Sequence, residues 1–176
     1  MEQSVFINGS YGNKVYNYLS MKLTHMNSPW TNQLNAVNGR AQLVPINPNK
    51  VYEDGTMWYN DVSNVMVANP GASIPRATIN DPNDNDRISD RYIEDGSYIR
   101  LKNISLGYTF PKKTIDKLGL SNLRIYANIQ NLLTITGYDG YDPEIGASTS
   151  SVNVYGLDNG RYPSPTVYSF GLNVSF

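Results

Sequence analysis

Two acidic stretches hold the side chains of this sequence that are best suited to chemistry. The first offers Asp81, Asn83 and Asn85 at alternate positions, as the start of a calcium-binding loop does. However, Asp86 stands where that loop needs glycine, and Tyr92 stands where its bidentate glutamate belongs. The spacing therefore favours a solvated polar turn over a calcium site.

The second acidic stretch contains Asp139, Asp142 and Glu144, which could supply metal ligands or the carboxylate pair of a glycoside hydrolase. Nothing in the sequence fixes their separation, so a plain surface loop is the simpler interpretation. Nucleophilic catalysis is not supported, because His25 is the single histidine and there is no cysteine. Glycine-rich phosphate-binding motifs are absent as well. We therefore expect a protein that is not an enzyme and that needs no cofactor.

Three aromatic residues, Trp30, Trp58 and Tyr59, lie in a long polar stretch of the sequence. Amphipathic rings of this kind can stack on sugars or contact a partner protein. They can equally fill a small core that belongs to the loop itself. The sequence leaves both interpretations open.

Composition narrows the function classes further. The 176 residues include 14 Lys and Arg against 15 Asp and Glu, and only 16% of residues are charged. A typical chain carries about 25% charged residues, so the surface is unusually neutral. The balance removes the electrostatic attraction that nucleic-acid binding requires, and we expect no nucleic-acid partner.

Four segments alternate between apolar and small polar residues, which predicts strands with two different faces. They are residues 3–11, 98–110, 122–132 and 166–176. Because the chain begins almost inside the first segment, we expect Met1 not to be the natural start of the fold. No stretch reaches the roughly 18 apolar residues of a membrane-spanning helix, and the N-terminus does not look like a signal peptide.

The remaining segments are expected to connect the strands. Val15, Leu19, Leu23 and Met26 recur at helical spacing and predict a short amphipathic helix from Lys14 onward. The following stretch, rich in proline, asparagine and aspartate, is expected to be a long loop. Residues 111–121 predict a tight reversal with a helical turn, and residues 134–163 predict a second polar loop.

The two faces of the predicted strands distinguish a membrane barrel from a soluble sandwich. The polar faces carry small residues and uncharged amides, unlike the lysines and glutamates of a typical solvent-facing sheet. Aromatic residues stand near the strand ends at Tyr108, Phe110, Tyr168 and Phe176, as in the aromatic girdles of outer-membrane barrels. The predicted strands also have long polar loops at one end and a short turn at the other, which is the asymmetry of outer-membrane β-barrels. The alternation therefore favours a barrel, although a soluble β-sandwich remains open.

Three runs of sequence resemble one protein family specifically. They are RISDRYIEDGSYIRLKNISLGYTFP (87–111), LRIYANIQNLLTITGYDGYDPE (123–144) and YPSPTVYSFGLNVSF (162–176). All three resemble the late-barrel sequence of SusC/RagA-type TonB-dependent outer-membrane transporters of Bacteroidota. Residues 6–17 resemble the same family, whereas residues 27–86 match it loosely.

This resemblance implies an all-β fold: a partial transmembrane β-barrel made of the last strands of a large antiparallel barrel, with long outward loops and a short helix. Residues 1–176 would be the C-terminal portion of the receptor barrel, 27–97 a long loop region and 98–176 the final barrel strands. Barrels of this transporter class have about 22 strands, and even the smallest single-chain membrane barrels of any class have about eight. Four strands cannot close, so the chain is expected not to transport anything alone.

The resemblance also implies a function and a set of partners. The function is TonB-dependent uptake of oligosaccharides or other large nutrients across the cell outer membrane. The expected partners are a SusD-like surface lipoprotein, an oligosaccharide or peptide ligand, outer-membrane lipid and the barrel-assembly machinery. TonB would act through an N-terminal part that this sequence lacks.

Two groups of residues acquire roles from the resemblance. Trp58, Tyr138 and Tyr141 are the expected contacts to the substrate or to the lipoprotein lid. Tyr168, Phe170, Leu172 and Phe176 are the expected assembly signal, read through strand addition. Two hypotheses from other classes stay open: a soluble carbohydrate-binding β-sandwich that uses Trp30 and Trp58, and a calcium-dependent surface hydrolase.

Overall fold

A computed structural model describes residues 1–26, 30–78, 81, 83–85, 87–144 and 156–176. The chain divides into two compact units, Met1–Asn17 with Ile93–Phe176, and Tyr18–Tyr92. The described strands are β1 (Glu2–Ser10), β2 (Lys14–Asn17), β3 (Leu43–Pro45), β4 (Val65–Val67), β5 (Ile93–Asp95), β6 (Tyr98–Thr109), β7 (Asn122–Thr136), β8 (Leu157–Asp158) and β9 (Val167–Ser175). The described α-helices are α1 (Tyr18–Thr24) and α2 (Lys112–Ile115).

The first unit is built on a four-stranded antiparallel sheet with the order β1-β6-β7-β9. These strands are the four that the alternation predicts, and the mostly-strand, antiparallel character of the prediction is confirmed. The predicted reversal is also observed, since α2 and a 3-10 turn at Asp116–Leu118 connect β6 to β7. Gly119 ends this turn with φ of 71°, a conformation that glycine adopts without strain. The polar loop predicted from Thr134 begins later, because β7 continues to Thr136.

One face of this sheet is apolar across all four strands. A single row of paired residues shows the arrangement, running from Val5 to Ile104, Ile129 and Tyr168. Neighbouring rows continue it, and many of these side chains are exposed, with Phe170 at 83%. A bare apolar surface of this extent is unusual for a soluble monomer.

The opposite face is polar and small. Ser4, Ser105, Asn128 and Ser169 form the row adjacent to the apolar one. The hydroxyl of Ser105 lies 3.1 Å from the side-chain oxygen of Asn128. This face therefore presents amides and hydroxyls, as the sequence predicts.

A β-bulge interrupts the alternation at Lys102 in β6. On both sides of β6, the pairing passes from Leu101 to Asn103 with a register shift. Across the bulge, Asn131 of β7 adopts a positive φ of 51°. The bulge moves the apolar series of β6 from odd to even residue numbers, so that Leu101 and Ile104 share one face.

The helix predicted from Lys14 to Met26 is wrong in its first part. Residues Lys14–Asn17 form β2, which pairs antiparallel with β5 and parallel with β8. Val15 is 2% exposed within this unit, so sheet pairing and burial of a β-branched side chain outweigh the helical spacing. The helix α1 begins only at Tyr18 and ends at Thr24.

The second unit is mostly irregular backbone with a short antiparallel pair, β3 and β4. Asp61 organises part of it: its carboxylate accepts hydrogen bonds from Lys50, Tyr52 and Ser63. These hydrogen bonds, of which that from Lys50 contributes most, hold the pKa of Asp61 far below its ordinary value.

Among the described residues, no helix is long and apolar enough to cross a membrane.

Candidate functional site

A cluster of charged side chains lies on the polar face of the main sheet, at the end away from the α2 turn. Its centre is Arg100 of β6, whose side chain is 4% exposed. The guanidinium donates hydrogen bonds from Nε to Thr134 (2.8 Å), from Nη1 to Glu144 (2.7 Å) and from Nη2 to Asp142. Charge-assisted bonds of this kind are short and directional, so they fix the segment 142–144 against β6.

Asp142 joins the two ends of the connection that follows β7. One carboxylate oxygen accepts from the backbone N–H of Glu144 at 2.9 Å, and the other accepts from the backbone N–H of Ser164 at 3.0 Å. Partial burial raises the pKa of Asp142, but the hydrogen bonds from Ser164, Arg100 and Glu144 lower it more. The pKa therefore lies below its ordinary value, and the carboxylate stays ionised.

Lys102 completes the cluster from the bulge. Its Nζ lies 2.6 Å from Oε1 of Glu144, whose other oxygen receives Arg100. Two cations thus meet two carboxylates, and their charges cancel. We call Arg100, Lys102, Asp142 and Glu144 the sheet-end clamp. A paired and hydrogen-bonded set of this kind tolerates partial burial, whereas loss of one member leaves a charge uncompensated.

Next to the clamp, Tyr138 is buried and holds β8 in place. Its hydroxyl donates to Asp158 at 2.6 Å, and Asp158 also accepts from the backbone N–H of Gly160. Burial, followed by this hydrogen bond, raises the pKa of Tyr138 well above its ordinary value. A Cβ at position 140 would overlap the Tyr138 ring, so any residue other than glycine would have to displace that ring.

The predicted contact residues occupy different environments. Tyr138 is 5% exposed, so in this structure its ring packs inside the unit instead of facing a ligand. Tyr141 is 64% exposed in the same unit. Trp58 belongs to the other unit, where its ring meets that of Tyr59 edge to face at 5.7 Å. Trp30 is almost fully exposed.

The predicted assembly residues lie together at the sheet edge. Tyr168, Phe170 and Leu172 occupy alternate positions of β9 on the apolar face and are exposed, and Phe176 follows directly. Among the described strands β9 pairs with β7 alone, so its other edge carries free backbone groups. That geometry is compatible with strand addition.

The two chemical hypotheses from the acidic stretches gain no support. Asp142 and Glu144 are close together, but Arg100 binds both, and a lowered pKa is the opposite of what a general acid needs. Asp139 lies aside, its N–H bonded to Glu94. Within the described ranges, no three acidic or histidine side chains are grouped so as to hold a metal.

Sequence reasoning missed Arg100 and Lys102 as members of the site. The signal was present: the apolar residues of β6 change phase between Leu101 and Ile104, which indicates a bulge, and both cations lie beside that change. Their partners could not be identified from spacing, because more than 40 residues separate Arg100 from Asp142 and Glu144.

Comparison with known proteins identifies relatives of this chain. No protein-family model matches the chain. The chain is 32% identical over 99% of its length to TonB-dependent receptor P3 of Formosa agariphila, of which it covers 15%. It is 36% identical over 52% of its length to TonB-dependent receptor SusC of Bacteroides thetaiotaomicron, of which it covers 8%. The chain thus spans about a sixth or less of these relatives.

A solved structure of the RagAB peptide transporter shares the fold. The match has a TM-score of 0.63 with 19% identity, and it covers 99% of this chain and 16% of that one. A RagAB peptide importer in its closed-closed state matches with a TM-score of 0.64. These structures show the shared fold, and the identity to P3 over nearly the whole chain shows that the chain belongs with the TonB-dependent receptors, SusC among them.

Proposed function

We propose that this chain forms part of the wall of an outer-membrane β-barrel that takes up large nutrients, oligosaccharides or peptides, in a TonB-dependent manner. One observation carries the proposal: the main sheet is apolar on one face and small and polar on the other, and its apolar face is bare. Each exposed apolar Å² costs roughly 25 cal/mol in water. Lipid on the apolar face and an aqueous lumen on the polar face would satisfy both surfaces.

The free strand edges support the same proposal. Among the described strands, β1 pairs with β6 alone and β9 pairs with β7 alone. Unpaired backbone groups in lipid cost several kcal/mol each, so membrane strands require neighbours on both sides. Further strands of a receptor several times longer would close the barrel, in keeping with the small share of its relatives that the chain covers.

The partners belong to the same proposal. A SusD-like surface lipoprotein would cover the outer end of the barrel, and TonB would act on parts of the receptor outside this sequence. Trp58 and the exposed Tyr141 remain proposed contacts to the ligand or the lipoprotein, together with Tyr138, whose ring is buried in this structure. Tyr168, Phe170, Leu172 and Phe176 are proposed to direct assembly of the barrel in the cell outer membrane.

Cysteine labelling tests the two faces of the sheet. The 176 residues contain no cysteine, so Leu172→Cys and Asn173→Cys each add one thiol to this part of the receptor, on opposite faces of β9, and the parent receptor gives the labelling background. In the receptor that carries this sequence, held in native outer membranes, we expect a lipid-soluble maleimide to label position 172 and a charged maleimide to label position 173. Both thiols should react with the charged reagent after denaturation.

Equal labelling of both native positions by the charged reagent would contradict the barrel. A soluble β-sandwich predicts a different pattern again, in which the thiol at position 172 is covered by a second sheet and reacts with neither reagent. In the described residues no second layer covers these apolar side chains.

A further inference from the structure

A pocket of about 310 Å³ lies beside the sheet-end clamp, at the lower end of the size range of ligand cavities. Its described walls come from the bulge, the clamp and the segment before β9: Lys102, Asp142, Glu144, Asp158, Arg161, Tyr162 and Ser164. Three members of the clamp, Lys102, Asp142 and Glu144, therefore present part of their surface to the pocket, where a ligand could contact them.

The charges of the wall are already balanced. Lys102 and Arg161 face Asp142, Glu144 and Asp158 in the wall, and Arg100 behind it is paired with two of those carboxylates. Three cations therefore accompany three carboxylates. A ligand with a net charge would unbalance this set, whereas an uncharged ligand would leave it neutral and the pairs of Glu144 and Asp142 intact.

The hydrogen-bonding capacity of the wall is not used up. Each oxygen of Glu144 receives one cation, and an ionised carboxylate can accept about four hydrogen bonds. Lys102 uses one of its three donors on Glu144. Arg161 makes no hydrogen bond or ion pair to the residues that the structure describes. Free acceptors thus stand beside free donors, which suits hydroxyl groups, because each hydroxyl both donates and accepts.

An aromatic ring stands at the same pocket. Tyr162 is 85% exposed, and no ring or cation contact holds it among the described residues. A tyrosine ring offers an apolar face and a polar rim, which matches the apolar C–H face and hydroxyl rim of a sugar ring.

From these observations we infer that the pocket beside the sheet-end clamp is a subsite for an uncharged sugar unit, with Tyr162 stacking on the ring and Glu144, Lys102 and Arg161 binding its hydroxyls. This inference rests on the proposed transport function and narrows it, because it selects neutral glycans over peptides and acidic glycans. The charged ends of a peptide would unbalance the wall, in which cations and carboxylates are equal in number, and a peptide backbone offers no ring face to Tyr162.

The test uses the receptor that carries this sequence, purified from outer membranes in detergent. It is applied to an array of neutral oligosaccharides, acidic oligosaccharides and peptides. We expect neutral oligosaccharides to bind, Tyr162→Ala to weaken that binding about tenfold, and Tyr162→Phe to retain it, since one stacking contact is worth up to about 1.4 kcal/mol. Tyr11→Ala is the matched control, because Tyr11 is also highly exposed, lies in the same unit and does not line the pocket.

Three results would overturn the inference: binding of peptides or acidic glycans alone, no binding to any member of the array, or equal effects of Tyr162→Ala and Tyr11→Ala. The labelling of positions 172 and 173 separates this failure from failure of the proposed function. If positions 172 and 173 are labelled as expected but Tyr162→Ala binds normally, the proposed barrel stands and only the proposed subsite is contradicted.

Discussion

Arg100 shows how a single residue can fix a long connection to a sheet. Its side chain is 4% exposed and is bonded to Thr134, Asp142 and Glu144. Replacing it by methionine fills similar volume but leaves Asp142 without a cation and Glu144 with Lys102 alone. Breaking such a pair costs about 3–5 kcal/mol when it is fully buried. Because Glu144 is one-third exposed, we expect a loss near the lower end.

The measurement for Arg100→Met is the thermal midpoint of the purified receptor, together with protease cleavage between β7 and β9. We expect a lower midpoint and faster cleavage there. Lys113→Met is the control, since Lys113 is an exposed lysine of the α2 turn. Indistinguishable cleavage of the two variants would mean that the clamp does not hold the connection.

Asp142 gives the clamp a pH dependence with a defined sign. Its pKa is lower in the folded chain than its ordinary value, so ionisation favours the folded arrangement. The stabilisation is complete above the unfolded pKa of about 3.9 and is lost as pH falls through the folded value. We therefore expect the Ser164 amide to be protected from hydrogen exchange at neutral pH and to lose that protection below about pH 4.

The variant Asp142→Asn isolates this titration. It removes the ionisable group while keeping an oxygen that can accept from Ser164, so protection should be weaker at neutral pH and should no longer respond to acid. Asp61, whose pKa is also lowered, lies in the other compact unit, where its carboxylate accepts from Lys50, Tyr52 and Ser63. An unchanged pH profile in Asp142→Asn would exclude Asp142 as the titrating group.

At the scale of single elements, alternation was sufficient to locate all four strands of the main sheet and to assign their faces. It failed where pairing between distant segments decides the outcome. Val15 has helical spacing but lies in β2, because partners about 80 and 140 residues away complete its sheet. The partners of Arg100 have the same cause, because they depend on contacts that no local period encodes.

Pairing of β7 with β9 depends on a glycine opposite a tyrosine. Tyr126 lies over Gly171 on the polar face, and a Cβ at position 171 would overlap its ring. We expect Gly171→Ala to cost about 1–3 kcal/mol through overpacking, and Tyr126→Ser to relieve part of that cost in the double variant. The thermal midpoint of the receptor measures each change.

Gly137→Ala serves as the control for Gly171→Ala. A Cβ at position 137 meets no atom within 4 Å, and the residue lies in the same compact unit. Its midpoint should stay close to that of the parent receptor. If the two alanine variants have equal midpoints, the close approach of the Tyr126 ring does not contribute to strand pairing.

At the scale of the whole molecule, the balance of surfaces sets what the 176-residue chain can do by itself. Its main sheet exposes an apolar face and two strand edges among the described residues. Each of these surfaces favours association, the face through the hydrophobic effect and the edges through backbone pairing. We therefore expect the isolated chain to aggregate in buffer and to become dispersed in detergent.

Size-exclusion chromatography with and without detergent measures this association, and charge placed on the apolar face should modify it. Leu172→Glu interrupts the bare apolar face, so we expect it to reduce aggregation of the isolated chain in buffer. In the receptor we expect it to destabilise the inserted barrel, by less than the roughly 2–4 kcal/mol that a lysine or arginine costs at the middle of the bilayer. Asn173→Glu, on the polar face of the same strand, should change neither behaviour much. A monomer of 19.7 kDa in plain buffer, unaffected by either charge, would instead favour a soluble sandwich whose apolar face is covered.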